Sequence, residues 1–157
     1  MRDIEKYYKN TENALPHPIV KKIIDLNIKP ENAIDLGCGA GRDTIFLIKN
    51  GWNVLAIDKE DTEEIISSKL DNEEMKKFRF TSQDFECVKL EKTKLLVANF
   101  SIPFCKKDYF NQFWNKIVDS ILKERLFCWK FFWIKWFMDK NKKTNGIFIK
   151  GANIKFI

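Results

Sequence analysis

Short runs of branched and aromatic residues alternate along this chain with stretches in which apolar side chains recur every three or four positions. The alternation holds from about residue 18 to about residue 122. The runs at 33–36, 53–57, 78–82 and 95–100 read as strands, and the stretches at 41–50, 61–70 and 107–122 read as helices. Ahead of the first strand, residues 18–26 place Ile19, Ile23, Ile24 and Leu26 on one face of a further helix, whose expected task is to cover the sheet. Strands separated by helices predict βαβ units and a parallel sheet. Gly51 stands where helix 41–50 needs a C-terminal cap, and Gly51-Trp52-Asn53 leads into the second strand. Such a right-handed crossover puts a ligand site at the carboxyl ends of its strands.

The 157 residues suffice for one domain with its own core, and 45% hydrophobic with 32% charged residues is an ordinary globular mixture. The net charge of +6 would suggest a nucleic-acid partner, but its distribution argues otherwise. Residues 123–157 hold 9 Lys or Arg against 2 Asp or Glu, leaving 19 against 20 in residues 1–122. The body is therefore close to neutral, and no nucleic-acid partner is expected. Cys38, Cys87, Cys105 and Cys128 form no C-x-x-C pair and have no histidine cluster beside them, so they read as free thiols of a cytoplasmic protein with no metal site. Asp3, Glu5 and Lys6 rule out a charged-then-apolar leader at the start of this sequence, and the apolar run 126–138 contains Lys130 and Lys135 and is too short to span a membrane.

The most informative stretch is Ala33-Ile34-Asp35-Leu36-Gly37-Cys38-Gly39-Ala40-Gly41-Arg42-Asp43-Thr44. Glycines at alternating positions let the backbone leave a strand, turn sharply and approach a ligand closely, while the following helix aims free N–H groups at the same place. The spacing differs from the G-x-G-x-x-G of dinucleotide folds and favours a sulfonium nucleoside over a pyrophosphate. Asp58 ends the second strand about 20 residues later, with Lys59 beside it, where a carboxylate can accept hydrogen bonds from both hydroxyls of a ribose. Ser82-Gln83-Asp84-Phe85 follows the third strand, and the fourth runs into Asn99-Phe100-Ser101-Ile102-Pro103-Phe104.

Asp-Leu-Gly-Cys-Gly-Ala-Gly-Arg-Asp resembles the first motif of class I S-adenosylmethionine-dependent methyltransferases. Gly-Arg-Asp and Ser-x-Pro-Phe make the small tellurite-resistance-type (TehB-like) methyltransferases the nearest subgroup, over about residues 6–122. The resemblance implies a Rossmann-like α/β fold, a parallel sheet flanked by helices, with S-adenosylmethionine as cofactor. It implies that the turn from Gly37 through Cys38 and Gly39 to Gly41 lies against the methionine part, and that Asp35 orders the loop or meets the amino group through water. Asp84 would face the adenine amine, which suits an ionised carboxylate that only accepts, and Phe85 would offer its backbone N–H or ring to the base. Asn99, Ser101 and Phe104 are candidates for the methyl-transfer pocket, and Tyr7 and Tyr8 for a cover over the cofactor. Displacement at a sulfonium needs no protonation of the leaving group, so positioning supplies most of the acceleration. No catalytic residue is identified, and His17, between Pro16 and Pro18, reads as a helix-start residue rather than a base. The expected acceptor is a small molecule, a thiol or reduced chalcogen being possible. A nicotinamide oxidoreductase is opposed by the glycine spacing and by the lack of a Tyr-x-x-x-Lys pair.

After Lys123 the resemblance stops. A family member should continue with a glycine turn and a fifth strand, whereas residues 124–136 read Glu-Arg-Leu-Phe-Cys-Trp-Lys-Phe-Phe-Trp-Ile-Lys-Trp, and no glycine appears until Gly146. The segment 123–157 holds 9 of the 22 aromatic residues. Back-translating 124–136 with A/T-rich codons and reading one nucleotide later gives Lys-Gly-Tyr-Phe-Val-Gly-Asn-Phe-Phe-Gly-Leu-Asn, which looks like the missing turn and strand. The expectation is thus a methyltransferase core at 1–122 and an atypical basic aromatic tail at 123–157 with a changed reading frame. The sheet would then lack its last strands, and Leu95 to Phe100 would lie at an exposed edge. The competing expectation for the tail is a basic amphipathic helix on a membrane surface or partner. The functional counterpart of a changed frame is a cofactor-binding remnant without turnover.

Overall fold

The computed structural model describes residues 4–11, 13–130, 145–149 and 155–156. β1 (Asn32–Leu36) pairs in parallel with β2 (Asn53–Asp58) on one side and β4 (Thr93–Asn99) on the other, and β3 (Phe78–Ser82) pairs in parallel with β2. All four predicted strands are present at or within a residue or two of the expected bounds. The three inner strands β1, β2 and β4 are largely apolar because both faces of the sheet are covered there: residues 33–36 of β1, 54–57 of β2 and 95–98 of β4 are all buried, whereas edge strand β3 buries only Phe78.

Period-two alternation divides these side chains between two core layers. On one face Ala33, Val54, Ala56, Leu95 and Val97 pack with Ile19, Val20 and Ile23 of α2 (Pro18–Asp25) and with Leu47 and Ile48 of α3 (Arg42–Lys49). The early helix does cover the sheet. On the other face Ile34, Leu36, Leu55, Ile57, Leu96 and Ala98 meet Phe113 and Ile117. The last two belong to a helix over Phe110–Ser120. The segment read as one helix at 61–70 is instead a short helix, Glu63–Ser67, followed by Asn72–Met75. The break has a local cause, since Asp71 and Glu74 form a reciprocal capping box that starts a new helix. Numbered in chain order, the helices are α1 (Ile4–Thr11), α2, α3, α4 (Glu63–Ser67), α5 (Asn72–Met75) and α6 (Phe110–Ser120).

The expectation of a sheet ending at its fourth strand is corrected by the backbone pairing. β5 (Ile121–Lys130) runs parallel to β4, with Leu95 opposite Leu126 and Asn99 opposite Lys130, and β4 is therefore an interior strand. β6 (Asn145–Ile149) and β7 (Lys155–Phe156) continue the sheet antiparallel, giving the order β3-β2-β1-β4-β5-β6-β7. The open edge of β4 offers a row of unpaired N–H and C=O groups, and the aromatic and aliphatic residues that leave α6 suit strand geometry better than helix geometry. The competing amphipathic-helix reading fails for 121–130 on the same pairing, and residues 131–136 of the aromatic run lie outside the described residues. No helix among the described residues is long and apolar enough to cross a membrane.

The strand order reverses direction between β1 and β4, because the chain winds outward through β2 and β3 and then returns to the other side of β1. An open parallel sheet has its crevice at that point, between the loops that leave the two strands.

Candidate functional site

The loop leaving β1 turns through three residues with positive φ, Gly37 at 77°, Gly39 at 54° and Gly41 at 81°. Two of them show what the turn requires. A Cβ on Gly37 would stand 2.2 Å from the Cβ of Ser101, so the loop after β1 and the loop after β4 approach as closely as backbone permits. The Ser101 hydroxyl donates to the carbonyl of Leu36 at the same contact. Gly39 differs: the nearest atom to its would-be Cβ is a ring carbon of Tyr8 at 3.7 Å. Its outward face is thus available for close approach, with Tyr8 from α1 lying over it. The side chain of Tyr7 lies outside the described residues.

Asp58 fixes this loop from the neighbouring strand. Its Oδ2 accepts the Gly39 N–H at 2.8 Å and its Oδ1 accepts the Glu60 N–H at 3.2 Å. Lys59 is exposed beside it and pairs with Glu60 at 3.5 Å. Asp84 and Phe85 follow β3, whose end is in register with that of β2, Asp58 opposite Ser82. Asp84 is exposed on this rim, whereas Phe85 stacks its ring on Phe113 with centroids 4.9 Å apart. The Phe85 ring packs against the core and its Cζ lies 3.4 Å from the would-be Cβ of Gly37.

A small pocket opens between the two loops. Its wall comprises Thr11, Asp35, the turn Gly37–Ala40, Arg42, Asp43, Asn99 and Phe100. Of the ten residues expected at the site, Asp35, Gly37, Cys38, Gly39 and Asn99 line this pocket; Gly41 turns behind it against Ile66, and Asp58, Lys59, Asp84 and Phe85 stand along the β2–β3 rim. Ser101 and Phe104, expected at the acceptor pocket, separate: Ser101 is buried behind Gly37, and Phe104 is 65% exposed on a one-turn 3-10 helix.

Asp43 is the residue that sequence reasoning missed. It was seen only as part of Gly-Arg-Asp, yet its buried carboxylate collects donors from three parts of the chain. Oδ1 accepts the His17 backbone N–H at 2.7 Å and the Arg42 Nε at 3.2 Å, and Oδ2 accepts the Asn99 amide at 2.8 Å. The available signal was an acidic residue in the first turn of a helix, where the helix dipole favours it, but its partners are far away in sequence. Phe100 was missed as well. It holds φ at 64°, a left-handed conformation unusual for an aromatic residue, and its ring meets that of His17 edge-on at 5.5 Å. His17 itself starts α2, its Nδ1 accepting the Ile19 N–H at 3.3 Å, as expected of a capping residue.

The electrostatics follow from burial. Asp35 accepts the Thr44 hydroxyl at 2.6 Å, but desolvation and the nearby Asp43 charge raise its pKa to about 7. Burial likewise pushes the Cys38 thiol well above its ordinary value, so Cys38 serves as a small neutral side chain rather than a nucleophile.

The chain matches the family described as tellurite resistance protein TehB over residues 1–120. It belongs to that family. Among solved structures it is similar to TehB from Haemophilus influenzae, with a TM-score of 0.65 at 16% identity, over 78% of this chain and 43% of that one. A putative S-adenosylmethionine-dependent methyltransferase from Methanococcus maripaludis matches with a TM-score of 0.65 at 20% identity, over 80% of this chain and 62% of that one. The phosphoethanolamine N-methyltransferase of Haemonchus contortus, solved with phosphoethanolamine and S-adenosylhomocysteine, matches with a TM-score of 0.60 at 13% identity, over 82% and 31%. The chain thus spans from about a third to under two thirds of the length of these proteins. Such likenesses establish the Rossmann-like methyltransferase fold for this TehB-family chain. No curated protein matches it by sequence.

Two predictions follow from this geometry. Gly37→Ala forces the two loops apart and costs several kcal/mol, whereas a Cβ at Gly39 meets only a Tyr8 ring carbon at ordinary van der Waals distance, 3.7 Å, so Gly39→Ala costs little beyond the left-handed penalty of about 1–2 kcal/mol; urea unfolding midpoints order the two. Asp35 binds its proton more tightly folded than unfolded, so its contribution to stability is complete below pH 4 and is lost as pH rises toward 7. Over that window the parent loses stability relative to Asp35→Asn at up to about 1.4 kcal/mol per pH unit. Denaturation at pH 5 and pH 8 measures the difference, and a pH-independent gap between the two proteins contradicts the assignment.

Proposed function

We propose that this TehB-family chain binds S-adenosylmethionine in the crevice between β1 and β4 and methylates a small soft nucleophile. The observation that carries the reading is the Gly37–Gly41 turn, held by Asp58 at the reversal of strand order, with one face open at Gly39. The residues fit the group. The methionine part lies against Gly37, Cys38, Gly39 and Gly41, near Asp35 and Asn99. Asp58 already accepts one amide hydrogen on each oxygen, and each oxygen has a further lone pair for a ribose hydroxyl. Lys59 flanks that contact, Asp84 receives the adenine amine, and the Phe85 backbone borders the base. When bound, the cofactor supplies an electrophilic methyl on a cationic sulfur. The chain positions it, and a thiol or reduced chalcogen acceptor, reacting as its anion after its proton has passed to solvent, needs little or no base from the protein. A small-molecule partner, no nucleic acid and a cytoplasmic setting complete this reading.

Calorimetry tests it. S-adenosylhomocysteine binds the chain, and Asp58→Ala weakens binding by about 1.5–3 kcal/mol, the range for hydrogen bonds to a charged group. Asp84→Ala weakens it less, because water can replace an exposed contact. No heat of binding, or an unchanged Asp58→Ala, removes the proposal.

A second reading, a cofactor-binding remnant without turnover, is favoured by the composition of residues 123–157 and by the shifted translation of 124–136. On this reading a core over 1–122 precedes a tail in a changed frame. A chain carrying the shifted sequence from residue 124 onward then methylates a thiol acceptor, while the present chain binds cofactor and turns nothing over. Robust turnover by the present chain, or codons incompatible with the shifted translation, overturns it.

A further inference from the structure

The connection from β3 to β4 passes β2 and β1 in ten residues, 83–92, and forms no helix on the way. A crossover between parallel strands usually carries a helix that fills the face it passes. Here a cavity of about 450 Å³ remains between this connection and α6, within the size range of small-molecule sites. It shares no lining residue with the pocket between β1 and β4. Its apolar side comes from Val88, which is fully buried, and from Leu90, which packs on the core layer under α6. Lys89, Lys92 and Lys116 also line it, with Asp119 as the one acidic residue, and three lysines against one aspartate leave a net charge of +2.

Two of the lysines are held in place. Lys92 Nζ reaches from the connection to the Asp119 carbonyl of α6 at 2.5 Å, and Lys116 Nζ reaches back from α6 to the Glu86 carbonyl at 3.0 Å. An ammonium has three hydrogens, so each keeps donors beyond that bond. The C-terminal end of a helix ordinarily repels an anion, but here Lys92 and the Ser120 hydroxyl already occupy the carbonyls of Asp119 and Ile117. The Lys89 side chain is exposed and enters no ion pair among the described residues. Donors fixed on both walls and a surplus of positive charge favour an anion, and the apolar side favours a hydrocarbon body attached to it. We propose that this cavity binds a small organic anion, an apolar body bearing one carboxylate or phosphate group, at a site separate from the cofactor crevice. The site stands independently of the cofactor reading above.

The experiment is calorimetry on the full chain at low ionic strength, where charge pairing is least screened. The probes are octyl phosphate, octanol and inorganic phosphate, with octyl phosphate kept below micelle formation so that single molecules and not a surface bind. Octyl phosphate occupies one site per chain and binds about tenfold or more tighter than octanol, which lacks the charge, and than phosphate, which lacks the apolar body. Lys89→Gln weakens it by about threefold and Lys89→Glu by about tenfold, the scale of partly exposed ion pairs. Both variants keep the urea midpoint of the parent, because the Lys89 ammonium supports no contact of the fold. Lys49→Gln removes the same charge from α3, on the opposite face of the sheet, and leaves binding unchanged. Octanol or inorganic phosphate binding as tightly as octyl phosphate overturns the inference, as does an absence of octyl phosphate binding to the parent. Unchanged affinity in the Lys89 variants overturns it too, and so does an equal loss in Lys49→Gln, which would reduce the binding to attraction by net charge.

Discussion

The contact between Gly37 and Ser101 sets the dimensions of everything around it. Two parallel strands that leave the sheet in opposite winding directions must part, yet here their loops are pinned together at 2.2 Å from a would-be Cβ and by a hydrogen bond from Ser101 to Leu36. The crevice between the loops is lined by Gly39 from one and Asn99 from the other. The left-handed conformation of Phe100 belongs to the same constraint. The chain has to turn at once after β4 to bring Ser101 under Gly37, and the cost of placing an aromatic residue at φ 64° is offset by its packing on His17.

A second layer of order comes from charge. Asp43 is buried with a full complement of donors, and those donors arrive from the start of α2, from its own helix and from the end of β4. One carboxylate therefore locks the N-terminal segment to the sheet beside the pocket. Arg42 pairs directly with Asp43, whereas Asp35 has the Thr44 hydroxyl and the more remote Arg42 charge against its burial and the Asp43 charge, which together disfavour its anion. Two carboxylates eight residues apart thus differ through their surroundings: Asp43 ties three parts of the chain together, and Asp35 holds its proton more tightly than an ordinary carboxyl.

The parts of this site that were readable in the sequence are those encoded locally. The glycine turn, Asp58 and Asp84 each sit at a strand end recognisable from its own flanking residues, and the periodicity supplied the strand and helix order. Asp43, Phe100 and the fixed amide of Asn99 were not readable in the same way, since their roles depend on partners up to 56 residues distant and on a backbone angle that no local pattern signals. Helix 61–70 was misjudged for a smaller reason. Its apolar spacing continued past Ser67, but the Asp71 cap was overlooked, and a strong cap restarts a helix even where periodicity does not break.

The sheet beyond β4 shows that composition and backbone pairing carry different information. The aromatic and basic run after Lys123 differs from any glycine-containing turn and strand, so its chemistry pointed to an aberrant tail or a surface helix. Backbone pairing obeys a less demanding rule. Once α6 ends at Ser120 the chain is delivered directly to the free edge of β4, and a ladder asks only for extended residues without proline. Between residues 121 and 130 there is neither proline nor glycine, and β4 gains a parallel neighbour whose register shifts between Thr93 and Leu95. The pairing is therefore compatible with a normal fifth strand and equally with a segment of altered sequence captured by a waiting edge. The pairing jumps from Ile121 opposite Thr93 to Leu126 opposite Leu95, and the last carbonyls of α6 are met by side chains, Lys92 donating to that of Asp119 and Ser120 to that of Ile117. The start of β5 is irregular in register, and regular pairing with β4 runs from Leu126 to Lys130.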